Sequence, residues 1–272
     1  MEPKFRFLDL FPEIRDNVYM HFLSSPLPTT SISAAERRSR RNGPDRFSAM
    51  MSSGKARFCA APPQPTSLPL LLASRQIHAE LSAALARMHR AGALVYALDC
   101  EVVDEHTIFP TWLLLPVYMT RIPVIYTTFR ISGALPPNTS RSGWGMGCGG
   151  PSYMIWSLLE IISLFLCRGP HFCSSLETWQ GTVDTLVLNV LTPALGPGEV
   201  FRIGNNVRTP GAVMHPKIIS GNLRSWLTLI FSRDKRSMVY GKPVAARIKR
   251  IQLLEDGVEA KFWDLENMKH LH

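Results

Sequence analysis

The chain has few cysteines, and their spacing is irregular. Five cysteines are scattered along 272 residues, the number is odd, and no Cys-X-X-Cys pair occurs. This spacing fits no zinc-binding pattern, so we predict no metal site. The N-terminus also lacks the basic-then-apolar pattern of a secretion signal. We therefore expect reduced thiols and an intracellular protein, in the cytoplasm or the nucleus.

Long apolar runs are missing as well. A membrane-spanning helix needs about 20 consecutive apolar residues. Residues 107–126 come nearest, but three prolines and an arginine interrupt them. Residues 153–167 are too short and contain Glu160. Both stretches are therefore predicted to be core elements, and no membrane span is expected.

The sequence lacks several common catalytic motifs. It has no Gly-X-Ser-X-Gly elbow, no His-Glu-X-X-His and no kinase motif pair. Residues 140–152 form a glycine-rich stretch, but no Gly-Lys-Ser/Thr follows to bind a phosphate. We predict a non-enzymatic protein that uses no cofactor, and an unrecognised enzyme is the less favoured alternative.

Acidic residues are scarce in the C-terminal part of the chain. The net charge is +9, and residues 202–250 contain eleven lysines and arginines with Asp234 as the single acid. Such a stretch can attract nucleic acid or an acidic protein surface. No nucleic-acid-binding module is recognisable, and no aromatic residues alternate with the charges. Binding of nucleic acid or another anionic partner through 202–250 is therefore the alternative hypothesis.

An amphipathic helix of about three turns is predicted near the N-terminus. Pro12 suits the first turn of a helix, and Asp9 is a candidate cap before it. Apolar residues then recur at helical spacing, at Ile14, Val18, Tyr19, Phe22 and Leu23. Arg15, together with Arg75 on a second helix described next, is expected to pair with carboxylates across the helical pair.

A second helix is predicted to start at Pro69, with Ser67 as its cap, and to end at Gly92. Its apolar face consists of Leu70, Ala73, Ile77, Leu81, Leu85 and Met88. Because each helix has one apolar face to bury, we expect the two to pack together. The predicted buried cluster is formed by Ile14, Val18, Phe22, Ile77 and Leu81.

The two helices carry motifs that resemble those of a known family. The first reads Leu10-Phe11-Pro12-Glu13-Ile14-Arg15, and the second contains Ser74-Arg75-Gln76-Ile77 followed by Glu80. Together they resemble the N-terminal part of fungal F-box-like proteins, a largely uncharacterised group. Phe11 departs from the family pattern, in which a proline usually stands at this place.

This resemblance implies a role in protein–protein interaction. In true F-box proteins, the helical unit docks on a Skp1-like adaptor, and the rest of the chain recruits a substrate for ubiquitination. The resemblance therefore implies an adaptor subunit of a ubiquitin ligase. The residues that would contact the adaptor are Leu10, Pro12, Ile14, Val18, Tyr19 and Leu23.

The chain is predicted to comprise three parts. Residues 1–25 and 68–92 form the F-box-like unit, which 26–67 divide as an insertion rich in Pro, Ser, Thr and Ala. We predict that this insertion is flexible and that deletion of residues 30–50 leaves the fold intact. Its cluster of arginines at 37–41 is interpreted as part of a solvated loop, with a nuclear address or a nucleic-acid contact as alternatives.

Residues 93–272 are predicted to form an α+β domain continuous with the helical unit. Residues 93–98 and 121–131 suit strands, 153–167 suit a helix, and 183–191 suit a central buried strand. This order allows one parallel crossover. Asp256-Gly257 is a preferred hairpin turn between alternating strands. The predicted architecture is an α+β fold in which the helical pair packs on a mixed β-sheet with helices.

Overall fold

A computed structural model describes residues 6–43, 55–134, 151–173, 179–202, 211–231 and 241–267. The helices are α1 (Pro12–Ser24), α2 (Ala34–Ser39), α3 (Leu68–Leu71), α4 (Arg75–Arg90), α5 (Tyr153–Arg168), α6 (Pro216–Ile230) and α7 (Lys242–Ala245). The strands are β1 (Val95–Val103), β2 (Thr107–Leu114), β3 (Arg121–Ser132), β4 (Thr182–Val190), β5 (Val200–Arg202), β6 (Ala212–Met214), β7 (Ile248–Glu255) and β8 (Val258–Asp264).

Six strands form one mixed sheet in the order β2-β1-β3-β4-β7-β8. The four inner strands are parallel, and the outer strands β2 and β8 run antiparallel to their neighbours. The predicted α+β class and mixed sheet are confirmed. The parallel crossover is also confirmed, because β3 and β4 are parallel neighbours and α5 lies between them in the chain.

The C-terminal hairpin is built as its local sequence predicts. Asp256 and Gly257 connect the antiparallel strands β7 and β8. Both residues have positive φ angles, 49° and 82°. A two-residue turn of this kind matches the right-handed twist of the flanking strands, and Asp-Gly tolerates it well.

Both long C-terminal helices lie on one face of the sheet. Residues of α5, including Leu158 and Ile162, meet Leu98 and Ile125 on this face. Thr228 of α6 accepts a hydrogen bond from Trp263 Nε1 of β8 at 3.2 Å. The parallel strands follow one another in the same direction across the sheet, so right-handed crossovers place their helices on one side. The order of the described parallel strands never reverses, and they form no topological switch point where α/β enzymes usually bind ligands.

The segment 26–67 contacts the rest of the protein at several of its described residues. Leu27 N donates to Leu113 O at 2.9 Å, Arg57 N to Ile108 O at 2.9 Å, and Thr66 N to Leu115 O at 2.7 Å. These contacts cover the outer edge of β2, which would otherwise present unpaired backbone groups. At these positions the insertion is therefore not free, whereas its flexibility stays a prediction, and 44–54 lie outside the described residues.

Arg40 shows why composition misleads in this segment. Its side chain is buried, and it donates hydrogen bonds to Pro110 O at 3.0 Å and to Thr111 Oγ1 at 2.9 Å. Glu36 accepts a further bond at 2.6 Å. A basic side chain can be buried when most of its donors are paired in this way, although Arg40 Nε has no partner among the described residues. The interpretation of the whole arginine cluster as solvated is therefore wrong at Arg40.

We expect Arg40→Ala to lower the free energy of unfolding by about 1–3 kcal/mol, because Pro110 O loses its buried donor. Arg38, two residues earlier in α2, is exposed, so Arg38→Ala should change the free energy of unfolding by less than about 0.5 kcal/mol. Urea unfolding of both variants measures the difference, and equal values would contradict the burial of Arg40.

Deletion of 30–50 should likewise destabilise the fold, because it removes both Arg40 and the buried Ile32.

The second predicted helix is two helices. The chain leaves helical geometry after α3, and Ser74 caps α4 by accepting a hydrogen bond from Ile77 N at 3.2 Å. The predicted cap, Ser67, instead donates to Pro116 O at 2.5 Å. Asp9 is not a helix cap either, because it lies in a 3-10 turn before α1.

Candidate functional site

The two family-like motifs meet in the structure at one ion pair. Arg15 of α1 donates to both carboxylate oxygens of Glu80 on α4, from Nε at 2.9 Å and from Nη2 at 2.7 Å. Tyr19 OH and Gln76 Nε2 donate to the same carboxylate at 2.9 and 3.0 Å. The expected pairing across the helices is confirmed for Arg15, whereas Arg75 is exposed and takes no part in this ion pair. A bidentate pair of this kind fixes orientation as well as distance, so it sets the rotation of α1 against α4.

Arg15 also holds the chain that leads into α1. Its Nη1 donates to the carbonyl oxygens of Leu8, at 3.1 Å, and of Leu10. The ring of Phe7, in the same turn, packs edge-on against Tyr19, with centroids 5.6 Å apart. The residues immediately before α1 are therefore tied to its buried side.

The ion pair has clear effects on ionisation. Hydrogen bonding from Arg15 is the main cause that lowers the pKa of Glu80 to about 2. Burial, followed by the hydrogen bond to Glu80, raises the pKa of Tyr19 to about 12. Glu80 is thus an anion and Tyr19 a neutral donor at neutral pH, which is the combination that the network requires.

The face of α1 that packs inward differs from the predicted face. Arg15, Tyr19 and Leu23 are buried, and their spacing of four residues places them on one side of the helix. Ile14 is 47% exposed and Val18 is 43% exposed. Phe22 and Ile77 are half-buried, and only Leu81 of the predicted cluster is fully buried. The predicted five-residue cluster is therefore wrong.

The rotation of α1 leaves a row of apolar side chains in contact with solvent. Phe11, at the start of the helix, is 77% exposed, and Ile14 and Val18 follow at helical spacing. We call these three residues the α1 stripe. Single exposed apolar residues are common on protein surfaces, but an aligned row of three on one helix is typical of a contact surface.

The six predicted interaction residues do not share one surface. Ile14 and Val18 belong to the α1 stripe, Pro12 is exposed beside it, and Leu10 is half-buried. Tyr19 and Leu23 are buried in the core and are removed from the candidate surface. Phe11 was missed, although a bulky apolar residue in place of the usual proline is a signal that could have found it.

The described part of the basic stretch 202–250 is divided among several roles. Arg202 is buried in an ion pair with Glu105. Lys249 pairs with Asp184 at 2.9 Å, and Arg247 donates to Leu166 O at 2.6 Å. Lys217 and Arg224 of α6 and Arg250 of β7 are exposed. The cations that the structure describes in this stretch are therefore partly used in structural contacts.

A cavity lies between the sheet and α5. It is lined mainly by aliphatic side chains such as Leu158, Ile161 and Leu188, with Thr127 and Trp112 among its few polar ones. This lining offers no acid or base for catalysis.

Across the described residues there is also no cluster of three or more His, Cys, Asp or Glu that could bind a metal ion. None of the helices in the described ranges is long and apolar enough to cross a membrane.

Most of the glycine-rich stretch, residues 140–150, lies outside the described residues. The cysteines that the structure does describe, Cys59, Cys100, Cys167 and Cys173, are free thiols.

Comparison with protein-family models, with curated proteins and with solved structures finds no match for this chain.

Proposed function

We propose that this chain is a non-enzymatic, F-box-like interaction subunit that binds a Skp1-like adaptor through the α1 stripe. In this role the rest of the chain presents a substrate for ubiquitination, inside the cell, in the cytoplasm or the nucleus. The observation that carries the proposal is the exposure of Phe11, Ile14 and Val18 on a helix whose other side is fixed to the core. The resemblance of both helix motifs to the fungal F-box-like group supports the choice of partner.

The geometry of α1 suits docking for a physical reason. Binding costs less free energy when the contact residues are already ordered in the free protein. The bidentate contact between Arg15 and Glu80 orders α1 before any partner arrives. Burying three apolar side chains against a partner then contributes mainly hydrophobic free energy.

The proposal is tested by measuring the affinity of the purified protein for a purified Skp1-type adaptor. Val18→Asp should weaken binding at least about a hundredfold, because the contact would bury a carboxylate among apolar groups. Val18 is 43% exposed in the free protein, so the aspartate stays solvated there and the fold should survive. A circular dichroism melt of each variant checks this.

Asn17→Asp is the matched control. Asn17 is exposed on the neighbouring side of α1, and the change adds the same charge one residue away. This variant should bind as the wild type does. A folded wild type that does not bind the adaptor would overturn the proposal, as would equal loss of binding in the two variants.

Binding of an anionic partner through the basic stretch 202–250 is the second candidate. Lys217 and Arg224 support it, because they are exposed seven residues apart, and therefore on one side of α6. The same binding assay with a DNA or RNA duplex separates the candidates, since phosphate contacts make affinity fall steeply with salt.

A further inference from the structure

One buried carboxylate has no role in the contacts described so far. Glu160 lies in the middle of α5 and is only 3% exposed. Its Oε2 atom has no hydrogen-bond partner among the described residues. An ionised carboxylate in such a place is costly, and burial raises the pKa of Glu160 to about 7.

Glu160 faces the segment that crosses α5. We call residues 55–60 the strap. Lys55 N of the strap donates to Ser157 Oγ, one turn before Glu160, at 2.7 Å. Phe58 is fully buried, and its ring lies 5.0 Å from that of Phe172. Gly43, two residues beyond Arg41, which bridges to Phe58, approaches Glu160 so closely that a Cβ there would collide with Oε1.

A charged group of the strap affects the ionisation of Glu160 less than burial does. Arg57 of the strap favours the ionised form, but its influence is smaller than that of burial. Cys173, beyond α5, also interacts with Glu160, and burial raises the pKa of its thiol, which is thus neutral at physiological pH. Farther out, Lys55 and Arg57 act on His106, and Arg168 and Arg41 act on Cys173.

We propose that Glu160 is a proton-controlled latch: the strap stays packed on α5 while this carboxyl is neutral and opens when it ionises. The physical reason is solvation. In the closed arrangement Oε2 has no donor, whereas in the open arrangement water can solvate the carboxylate. Opening also exposes Phe58, so the protein would present additional apolar surface above neutral pH.

The size of the effect follows from proton linkage. The carboxyl keeps its usual pKa of 4.5 when the strap is open and has a pKa of about 7 when it is closed. The equilibrium constant for opening should then rise about tenfold between about pH 6 and pH 8. His106 cannot cause this rise, because burial lowers its pKa, and its titration would stabilise the closed form as pH increases.

Hydrogen exchange tests the latch. The amides of Arg57 and Phe58 bond to Ile108 O at 2.9 Å and to Arg41 O at 2.8 Å, so their exchange reports strap opening. After correction for the intrinsic rate, the wild type should lose about tenfold in protection over this pH range. Glu160→Gln, which keeps the shape and removes the titration, should show no pH dependence.

Two controls decide whether the effect is local. Ser157→Ala removes the bond from Lys55 N, so it should loosen the strap at every pH and leave the pH dependence intact. The hydrogen-exchange protection of amides in the central strand β4 should not change with pH. Strap exchange that is independent of pH in the wild type would overturn the latch. Equal pH dependence in Glu160→Gln, or parallel changes in β4, would also overturn it.

Discussion

Leu81→Ala should lower the free energy of unfolding by about 2–5 kcal/mol, whereas Ile14→Ala should lower it by less than about 1 kcal/mol. Leu81 is completely buried between the helices and the sheet, and truncation there leaves a cavity. Ile14 is 47% exposed, so its truncation removes atoms that water already contacts.

Urea unfolding at constant pH measures both values. The comparison is informative because the sequence alone gives the two residues the same role, as members of one buried cluster. A large loss at Ile14 would mean that α1 is turned the other way, with the α1 stripe inside the protein. In that case the stripe could not serve as a docking surface.

The second large effect is expected at the ion pair between the helices. Arg15→Met keeps an apolar side chain of similar length and removes the guanidinium, so the half-buried Glu80 loses its main partner. We expect the thermal midpoint at pH 7 to fall by roughly 5–10 °C. Arg87→Met is the matched control, because Arg87 pairs with Asp16 between the same helices on the exposed surface. It should shift the midpoint little.

The effect of Arg15→Met should depend on pH in one direction. Hydrogen bonding from Arg15 lowers the pKa of Glu80 to about 2, below its usual value of 4.5. A lowered carboxyl pKa contributes stability that is present above the usual value and lost as pH falls through the lowered one. The difference in thermal midpoint between the wild type and the variant should therefore be largest above about pH 5 and should shrink towards pH 2. A difference in midpoint that stays constant across this range would show that the ion pair contributes nothing to stability.

The sequence predicts best where the chemistry is local. Asp256-Gly257 identifies the hairpin because few residue pairs adopt positive φ at both positions. The helix α5 ends at Arg168, one residue beyond the predicted range 153–167, and its cap Gly169 has a positive φ. These features need only their own neighbours in the chain, so a single sequence is enough to locate them.

The rotation of α1 could not be predicted in the same way. Apolar periodicity favours Ile14 and Val18 as the buried side, but Arg15 faces inward because Glu80, 65 residues away, satisfies its donors. Periodicity carries no information about such a distant partner. The family-like motifs contain both residues, and the suggestion that Arg15 pairs across the helices was the one clue to the true orientation.

The segment 26–67 was misjudged for a related reason. Its polar composition predicts a free loop, yet its backbone groups pair with β2, and Phe58 is buried in the core. Pro110 was the missed signal, since proline within a strand is typical of a sheet edge. An edge strand exposes unpaired backbone N–H and C=O groups, and this segment forms hydrogen bonds with some of them.

The distance along the chain between Arg15 and Glu80 also sets the time at which the α1 stripe can form. These residues are 65 positions apart, so the ribosome needs about 3–13 s to proceed from one to the other. A 13-residue helix is marginally stable by itself, and α1 should remain largely unfolded during this interval. The proposed docking surface should therefore not form on the nascent chain until α4 has been made. A partner that recognises the α1 stripe would select chains whose translation has passed the end of α4.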